Sequence, residues 1–376
     1  MQKLIYVNNA ASAFPLAPGV VEAMTGCMEK PPCQSGRDAV GSEDELLECR
    51  ETAMELMALG SGHIVLTPGA TYALNLAILG MDLKAGDVVI SSVMEHNSVL
   101  RPLARLEDLA HITVRYVPLD RGMALDPARY EQFLLEKPRL VVLSHGSNVT
   151  GRINPIGEWF QKAKATGALT LLDAGQTIGR IPVHPQDLHA DMVVFPGHKG
   201  LQGPLGTGVL YVGPGVNLVP LITGGTGVKS GLRLQPEGMP MRLEAGTPNT
   251  PAFAGLTAAM RYHLEHRQYE AEYRLAAHIM ASLVSLPQIQ VFDPEALPRL
   301  PIVSFTIKGM TVEDAGFALT ESFNIRCRTG LHCAPLIHRY LGSLPEGTIR
   351  YSPSLMTSPE DLYDALEAVR RLGESC

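Results

Sequence analysis

Polar side chains that could do chemistry follow several short apolar segments of this sequence. Lys199 stands between His198 and a run of glycines in FPGHKGLQGPLGTG, directly after one such segment. A lysine in that position can act as a nucleophile or a base once burial lowers its pKa. Four other segments end at groups that could hold an anion, accept a proton or donate hydrogen bonds: the turn Gly69, Ala70 and Thr71; His96; Asn148; and Asp173 with Gln176.

Each of these residues also has an ordinary structural explanation. A glycine-containing turn begins many helices, and a single histidine after a strand is more often a surface or core residue than a catalytic one. An asparagine commonly forms turns, and an aspartate at the end of a strand commonly caps a helix. The chemical interpretation therefore depends on whether the fold brings these residues together.

The segments that carry these residues alternate between strand and helix patterns. Seven short apolar runs rich in β-branched residues are predicted strands: His63 to Thr67, Asp87 to Ser91, Ile112 to Val117, Arg139 to Ser144, Leu169 to Asp173, Asp191 to Phe195 and Gly208 to Val212. Helical patterns lie between most of them. Uninterrupted apolar strands with helical crossovers predict an α/β fold with a mostly parallel seven-stranded sheet covered by helices on both faces. Polar groups that follow such strands meet at the carboxyl edge of the sheet.

The remainder of the chain predicts a long loop, a long helix and a small second domain. Leu221 to Thr250 is rich in Gly and Pro and is a predicted loop, and Pro251 to Leu286 is predicted to form one helix. Short strands and two helices after that point indicate a small α+β domain. We therefore expect a large α/β domain over residues 16–255 and a small domain that combines residues 256–376 with residues 1–15.

Composition and charge exclude several classes of protein. The 376 residues are 45% hydrophobic and carry 31 Lys and Arg against 38 Asp and Glu without a basic stripe, so nucleic acid is not an expected partner. No apolar run is long enough for a signal-peptide core or a membrane span, so we expect a cytoplasmic protein without a membrane partner. The six cysteines form no CxxC pair, so neither a metal site nor a disulfide framework is expected.

One cofactor chemistry uses the whole set of strand-end residues. Pyridoxal phosphate needs a lysine for its Schiff base, a carboxylate beside its pyridine nitrogen, an anion cradle for its phosphate and a flat group against its ring. Lys199, Asp173, the turn at residues 69–71 and His96 supply these groups in that order. Their occurrence at successive strand ends of one sheet favours this cofactor over a separate structural explanation for each residue.

Motifs across nearly the whole chain resemble those of the class V aminotransferase group of fold-type I pyridoxal-phosphate enzymes, and within it the cysteine desulfurases and selenocysteine lyases. The matching segments are YVNNAASAFP, SNVTG, DAGQT, GHKGLQGPLGTGVLY, EAGTPNT, RTGLHCAP and IRYSPSLMT. RTGLHCAP is the most specific of them and resembles the short catalytic-cysteine loop of the desulfurases related to the Suf system. The resemblance implies a homodimeric enzyme with the fold-type I architecture.

The resemblance assigns roles to residues around the cofactor. It implies that Lys199 forms the Schiff base and then moves the proton of the substrate Cα, and that Asp173 pairs with the pyridinium nitrogen. His96 would stack on the ring and help proton transfers, while Gln176 approaches the ring hydroxyl. The implied phosphate ligands are Thr71, the backbone of Ala70, His198 and, from a second subunit, Thr247.

The resemblance also assigns roles on the substrate side. Asn148 would lie beside the cofactor and the substrate, and Arg350 would bind the substrate α-carboxylate through its planar guanidinium, with Arg328 close by. Cys333 would attack the sulfur of L-cysteine as a thiolate and become a persulfide, leaving L-alanine. Arg328 and His332 are expected to favour the thiolate. Selenocysteine is a further possible substrate, and a protein could accept the sulfur.

Two other interpretations stay open at this point. Cys333 could be a small buried hydrophobic residue, in which case the chain would be a class V aminotransferase or amino-acid lyase with another substrate. A non-catalytic relative that keeps the fold as a scaffold is less favoured, because a scaffold has no need of Lys199, Asp173, His96 and Arg350 together.

The chain departs from the family pattern at two places. Pro196 stands before GHK where relatives commonly carry Ser or Thr, which removes one hydroxyl and one N–H from the phosphate side. The segment before the first long helix lacks the usual His-Arg pair, which Arg37 would replace only in part. We expect these changes to affect cofactor and substrate binding.

Overall fold

The computed structural model describes residues 3–31 and 44–376 of the chain, so that Cys33 and Arg37 lie outside the described residues. The strands in chain order are β1 (Ile5–Tyr6), β2 (His63–Thr67), β3 (Val88–Ser92), β4 (Thr113–Val117), β5 (Leu140–Ser144), β6 (Leu169–Asp173), β7 (Met192–Pro196), β8 (Gly208–Val212), β9 (Ile289–Val291), β10 (Val303–Ile307), β11 (Ile325–Arg326), β12 (Arg328–Gly330) and β13 (Thr348–Tyr351). The helices are α1 (Val20–Met28), α2 (Glu45–Leu56), α3 (Ala70–Gly80), α4 (Asn97–Ala110), α5 (Pro127–Leu134), α6 (Ile156–Ala165), α7 (Thr250–Glu265), α8 (Tyr269–Val284), α9 (Val312–Phe323), α10 (Pro335–Leu341) and α11 (Pro359–Glu374).

The large sheet contains all seven predicted strands, in the order β2-β8-β7-β6-β5-β3-β4. Strand β8 runs antiparallel to both of its neighbours, β2 and β7, and the other pairs are parallel. The predicted mostly parallel sheet is therefore confirmed. Parallel pairing places the carboxyl ends of β3, β5, β6 and β7 at one edge, with Ser144 of β5 opposite Asp173 of β6.

Alternating side chains of the central strands explain why helices cover both faces of this sheet. Every residue of β5 is buried; Val141 and Leu143 belong to one apolar core, whereas Leu140 and Val142 belong to another. Burial of each Leu or Val side chain contributes about 1.5–3 kcal/mol of transfer free energy. Both faces of the sheet must therefore be covered by other elements that exclude water. Helices α2 and α6 add side chains to the first core, and helices α3 and α4 add side chains to the second.

A smaller, antiparallel sheet forms from the C-terminal part of the chain in the order β12-β13-β10-β9. The N-terminal strand β1 pairs in parallel with β11, and Ile5 and Val7 share an apolar core with Val303 and Phe305 of β10. Helices α8, α9 and α11 contribute to the same core. The division of the chain into two domains at residues 15 and 255 stays a prediction.

The prediction of one helix from Pro251 to Leu286 is wrong, because the chain forms two helices, α7 and α8, separated by residues 266–268. Leu256 of α7 packs in a core of the large sheet, whereas Ile279 and Leu283 of α8 pack in the core of the small sheet. A single straight helix has one apolar stripe, and two separate cores require the backbone to turn between them.

The segment between β8 and α7 contains no helix or strand in this described part of the chain, as predicted for residues 221–250. The predicted C-terminal strands and the two helices α9 and α11 are also present. None of the described helices combines the length and the apolar character that crossing a lipid bilayer requires.

A close approach between strand β8 and the turn before α3 requires a glycine at position 208. An added Cβ at Gly208 would lie 2.6 Å from the carbonyl carbon of Gly69 and 2.9 Å from the amide nitrogen of Ala70. We expect Gly208→Ala to lower the free energy of unfolding by about 1–3 kcal/mol, because the turn or the strand must move. Urea unfolding measures the loss, with Gly60→Ala as the control because its added Cβ meets no atom within 4 Å. Equal stability of the two variants would contradict the expected clash.

Candidate active site

Most of the predicted site residues line one cavity of about 800 Å³ at the carboxyl edge of the large sheet. They are Ala70, Thr71, His96, Asn148, Asp173, Gln176, His198, Lys199 and Arg328. Cys333, Arg350 and Thr247 are not part of the cavity wall. The cavity volume lies within the range of small-molecule sites.

Lys199 and Asp173 line the same cavity, and the charge of each acts on the other. Burial lowers the pKa of Lys199 to about 8; Asp173 opposes this change, while Arg350 and Arg328 add to it. Burial raises the pKa of Asp173, while Lys199 and a 2.8 Å hydrogen bond from the Gly175 N–H act against the rise. The lysine amine is therefore near the range in which it can accept a proton at neutral or mildly alkaline pH.

The start of helix α3 offers a place for an anion next to this pair. Gly69 is the N-cap and puts no side chain over the first N–H groups of the helix. The Thr71 and Ser98 hydroxyl oxygens are 2.9 Å apart, and the buried His198 Nδ1 has no hydrogen-bond partner among the described residues. Helix N–H groups together with a hydroxyl and an imidazole suit a phosphate. Pro196, the last residue of β7, adds no N–H donor.

His96 is an uncharged imidazole in this site. The Ser98 N–H donates to His96 Nδ1 over 3.0 Å, which leaves the ring proton on Nε2. Burial lowers the pKa of His96 to about 3, with further contributions from the positive charges of Lys199 and Arg328. A neutral, flat ring at the cavity wall suits stacking against a flat ligand.

Two arginines stand opposite each other on strands β12 and β13. Arg328 pairs with Arg350 in the antiparallel register, and Arg328 reaches the cavity wall. Arg350 is fully buried and donates to the Asn148 carbonyl oxygen over 2.8 Å and to the Asn8 side-chain oxygen over 3.3 Å. Its Nε has no partner among the described residues, and burial together with Arg328 lowers its pKa. An anion bound beside the two guanidinium groups would offset the free-energy cost of burying their charges and the repulsion between them.

Cys333 lies in a tightly held turn between β12 and α10. His332 and Cys333 have φ angles of 50° and 60°. This left-handed conformation costs a non-glycine residue about 1–3 kcal/mol. The Asn148 side-chain amide donates to the His332 carbonyl oxygen, and the Asn97 N–H donates to the Cys333 carbonyl oxygen, both over 2.7 Å. The Arg328 Nη2 donates to Cys333 Sγ over 2.9 Å and so joins the sulfur to the cavity.

His332, which is predicted together with Arg328 to favour a thiolate at Cys333, is uncharged in the structure. His332 is buried, and burial together with the positive charge of Arg350 lowers its pKa to about 2, so its ring is uncharged. Its Nε2 lies 2.8 Å from the Thr348 hydroxyl oxygen. Arg328 is therefore the cation that acts on the sulfur, and His332 packs within the turn.

Three polar residues of this site were not predicted from the sequence. Ser98 joins the His96 ring to the Thr71 hydroxyl, Ser144 lines the cavity, and Glu95 is a completely buried acid that accepts hydrogen bonds from Ser144. Ser144 ends a buried strand, and the other two residues closely follow the end of β3. Their position after buried strands, which also distinguished the predicted residues, is the signal that could have found them.

Thr247 lies in a neighbouring cavity of about 500 Å³. In the wall of that cavity, Glu244 accepts a hydrogen bond of 2.7 Å from the Leu66 N–H of β2 and forms an ion pair of 2.6 Å with Arg50. These contacts attach the loop before α7 to the edge of the large sheet. The predicted contact of Thr247 with a phosphate in a second subunit stays a prediction.

Comparison with known proteins identifies the family. The family model described as Aminotransferase class-V matches residues 5–364. The chain belongs to the class V aminotransferase family. This class V chain is 33% identical to a probable cysteine desulfurase of Methanothermobacter thermautotrophicus, over 98% of this chain and 95% of that protein. It is also 33% identical to a cysteine desulfurase of Escherichia coli, over 86% of this chain and 79% of that protein.

Two solved structures are similar to this class V aminotransferase chain over nearly its whole length. A cysteine desulfurase from Thermococcus onnurineus has a TM-score of 0.90 at 28% identity, covering 99% of this chain and 95% of that one. The cysteine desulfurase CsdA from Escherichia coli has a TM-score of 0.88 at 26% identity, with the same coverage of both chains. The predicted fold-type I architecture is confirmed, and the chain is an enzyme of this family. The assignment of the Cys333 turn to the Suf-related subtype stays a prediction.

Proposed function

We propose that this enzyme is a pyridoxal-phosphate-dependent cysteine desulfurase, which converts L-cysteine to L-alanine and takes the sulfur onto Cys333 as a persulfide. The observation that carries the proposal is the 2.9 Å contact of Cys333 Sγ with Arg328, a wall residue of the cavity that contains Lys199 and Asp173. An aminotransferase uses the lysine and the aspartate but has no use for the thiol. The names of the similar proteins support the same function.

The polar atoms of the cavity fit pyridoxal phosphate. Asp173 is a buried carboxyl that would pair with a cationic ring nitrogen, and the start of α3 with Thr71 and His198 would hold the phosphate. His198 Nδ1 and Gln176 Oε1 are buried and have no partner among the described residues, which suits a polar ligand at this position. When bound, the cofactor supplies an electron sink for bonds that break at the substrate.

Lys199 is the proposed proton carrier. With a pKa of about 8, part of its amine is uncharged at neutral pH, so that Nζ can take a proton from the substrate Cα and later return it. Asp173 beside it balances the charge that Nζ gains. His96 starts as a neutral imidazole with its proton on Nε2, because burial lowers its pKa to about 3, and in this state it is the proposed helper of proton transfers.

Cys333 is the proposed sulfur acceptor within the enzyme. Its thiolate forms an S–S bond with the substrate sulfur while the C–S bond breaks, and the electron pair of that bond stays with the substrate carbon. That carbon then takes up a proton and becomes the methyl group of alanine. The outer sulfur of the persulfide passes to another thiol, either an added reductant or a protein acceptor. The Arg328 guanidinium donates a hydrogen bond to Sγ and so would hold the sulfur at the cavity wall.

Arg350 and Arg328 are the proposed ligands of the substrate α-carboxylate, with Asn148 beside them. The buried Nε of Arg350 has no partner among the described residues, and Arg328, its neighbour on β12, reaches the cavity wall. Two guanidinium groups can offer a carboxylate several charge-assisted hydrogen bonds. The same contacts accept L-selenocysteine, which differs from L-cysteine in one atom.

We also propose a homodimer in which Thr247 of each chain approaches the phosphate of the other. Leu221 and Ile222 of the loop before α7 line the active-site cavity and are exposed in the single chain, as are Leu232 and Leu234. Exposed apolar residues beside a site are typical of a subunit contact. Sedimentation velocity measures the predicted dimer directly.

Product analysis with the purified enzyme tests the proposed reaction. From L-cysteine in the presence of dithiothreitol, we expect alanine and sulfide in equal amounts, together with the absorption band of the bound cofactor. A keto acid in place of alanine would indicate another class V reaction. A protein that shows no band after addition of pyridoxal phosphate would contradict the cofactor assignment. L-Selenocysteine in the same assay compares the two substrates.

Arg328→Gln should impair sulfur transfer more than cofactor binding. The substitution removes the donor to Cys333 Sγ and one cation near the carboxylate, so we expect kcat/KM to fall about 10- to 100-fold. Alkylation of Cys333 by iodoacetamide, followed by mass spectrometry, should proceed at a different rate in the variant, because the hydrogen bond to Sγ is lost. Arg326→Gln changes an exposed arginine of β11 and is the matched control. Equal alkylation of wild type and Arg328→Gln would argue against the role of Arg328 at the sulfur.

A further inference from the structure

A second buried carboxyl lies close to Asp173 and has no place in the reaction described so far. Glu95 follows β3 and precedes His96, and its side chain is completely buried. Its Oε1 accepts hydrogen bonds from the Ser92 hydroxyl over 2.5 Å and from the Ser144 N–H over 3.0 Å, and its Oε2 lies 2.7 Å from the Ser144 hydroxyl oxygen. Among the described residues, the charge that acts most on this carboxyl is that of another acid, Asp173.

Ser144 connects Glu95 to the active-site cavity. It is the last residue of β5, lies opposite Asp173 in the parallel register, and forms part of the cavity wall. The Met94 N–H donates to the Ser92 hydroxyl oxygen over 3.1 Å, which leaves the Ser92 hydroxyl proton free to point at the carboxyl. Glu95 is therefore held at the same strand ends as Asp173 but outside the cavity wall.

The charge of Glu95 changes within the working pH range. Burial raises the pKa of Glu95 to about 7; hydrogen bonds from Ser92 and Ser144 oppose the rise, and the charge of Asp173 adds to it. Two neighbouring titratable groups, Tyr116 and His96, do not change their protonation state near neutral pH. Burial raises the pKa of Tyr116 on β4 to about 12, and the pKa of His96 is lowered to about 3. Glu95 is thus a neutral acid on the acidic side of neutrality and a carboxylate on the alkaline side.

We propose that Glu95 is a positioning residue that acts through Asp173: its carboxylate strengthens the hold of Asp173 on a cationic ring nitrogen, and its neutral acid form does not. This inference rests on the proposed pyridoxal-phosphate cofactor. Two carboxylates at neighbouring strand ends repel each other, and a cation bound at Asp173 removes that repulsion. Cofactor binding therefore releases the Glu95 proton to water, and by the same coupling an ionised Glu95 tightens cofactor binding.

Cofactor binding at two pH values tests this coupling. The comparison uses the full chain with Lys199→Ala, which removes the covalent link and the titration of the lysine, and the same chain with Glu95→Gln added. Glutamine keeps the size and the hydrogen-bonding groups of the neutral acid but cannot ionise. We expect equal dissociation constants for pyridoxal phosphate at about pH 6, and about tenfold weaker binding to the Glu95→Gln protein at about pH 8.5. Fluorescence titration measures both constants.

Ser92→Ala in the same Lys199→Ala chain is the matched variant. It removes a hydrogen bond that favours the carboxylate but keeps the acid, so the pH at which cofactor binding tightens should move upward. If Glu95→Gln changed the dissociation constant for pyridoxal phosphate by the same factor at both pH values, the proposal would be overturned. A purely structural role of Glu95 does not depend on its charge. If the Glu95→Gln protein does not fold, the Ser92→Ala variant decides. Cofactor binding that tightens at the same pH with and without Ser92→Ala would then overturn the proposal. A wild-type protein that binds no pyridoxal phosphate would overturn the proposed cofactor as well, which separates the two failures.

Discussion

Cys333→Ala is expected to lower sulfide release from L-cysteine by at least about 100-fold while the cofactor absorption band is kept. The variant loses the thiolate that forms the S–S bond, whereas Lys199, Asp173 and the residues around them are unchanged. Proton exchange at the substrate Cα should therefore continue, because it depends on Lys199. Incorporation of deuterium from D2O into L-cysteine, followed by NMR, measures that exchange in parallel with sulfide and alanine.

Cys327→Ala is the matched control for this experiment. Cys327 lies six residues before Cys333 in the same region of the small sheet, and burial raises its pKa to about 12, so its thiol is uncharged at neutral pH. We expect wild-type sulfide release from Cys327→Ala. Sulfide and alanine from Cys333→Ala at the wild-type rate would contradict the proposed desulfurase mechanism and favour another class V reaction.

Lys199→Ala should remove alanine formation, sulfide release and Cα exchange together, each by at least about 1000-fold. The lysine holds the position in the cavity from which Nζ can move the Cα proton, and burial lowers its pKa to about 8, which makes the uncharged form accessible. Lys199→Arg should be equally inactive, because an arginine keeps its proton. Alanine and sulfide assays with the deuterium-exchange measurement follow all three steps.

A surface lysine provides the control for the Lys199 variants. The side chain of Lys84 is 70% exposed, pairs with Asp82 and is not part of the cavity wall, so Lys84→Ala should leave all three rates unchanged. Loss of sulfide release in Lys199→Ala with Cα exchange preserved would contradict the assignment of Lys199 as the proton carrier. The contrast with Cys333→Ala then separates the proton step from the sulfur step.

The large sheet could be predicted because its strands are buried on both faces and so form uninterrupted apolar runs. Strands β2, β6 and β8 have the predicted ends, β4 and β5 begin one residue later than predicted, and β3 and β7 are shifted by one residue at both ends. The interruption between α7 and α8 could not be predicted, because residues 266–268 contain neither Pro nor Gly. The turn there results from packing against two cores, which the helical periodicity of one segment does not show.

The residues of the site could be predicted where strand position and chemistry agree, as for Lys199, Asp173 and His96. The charge states of the site residues were harder to predict from the sequence, because they depend on contacts between distant segments. His332 would be a plausible cation in solution, but in the structure it is buried near Arg350 and remains neutral. Glu95 resembles any surface acid in the sequence, and only the burial of its side chain between β3 and β5 makes its charge important.

The left-handed turn at His332 and Cys333 has a consequence for the order in which the protein folds. The two carbonyl groups of the turn accept hydrogen bonds from Asn148 and Asn97, which lie far away along the chain. Contacts between such distant residues close late, after local elements have formed. The geometry of the reactive thiol therefore depends on the assembly of both sheets, and we expect it to form late in folding.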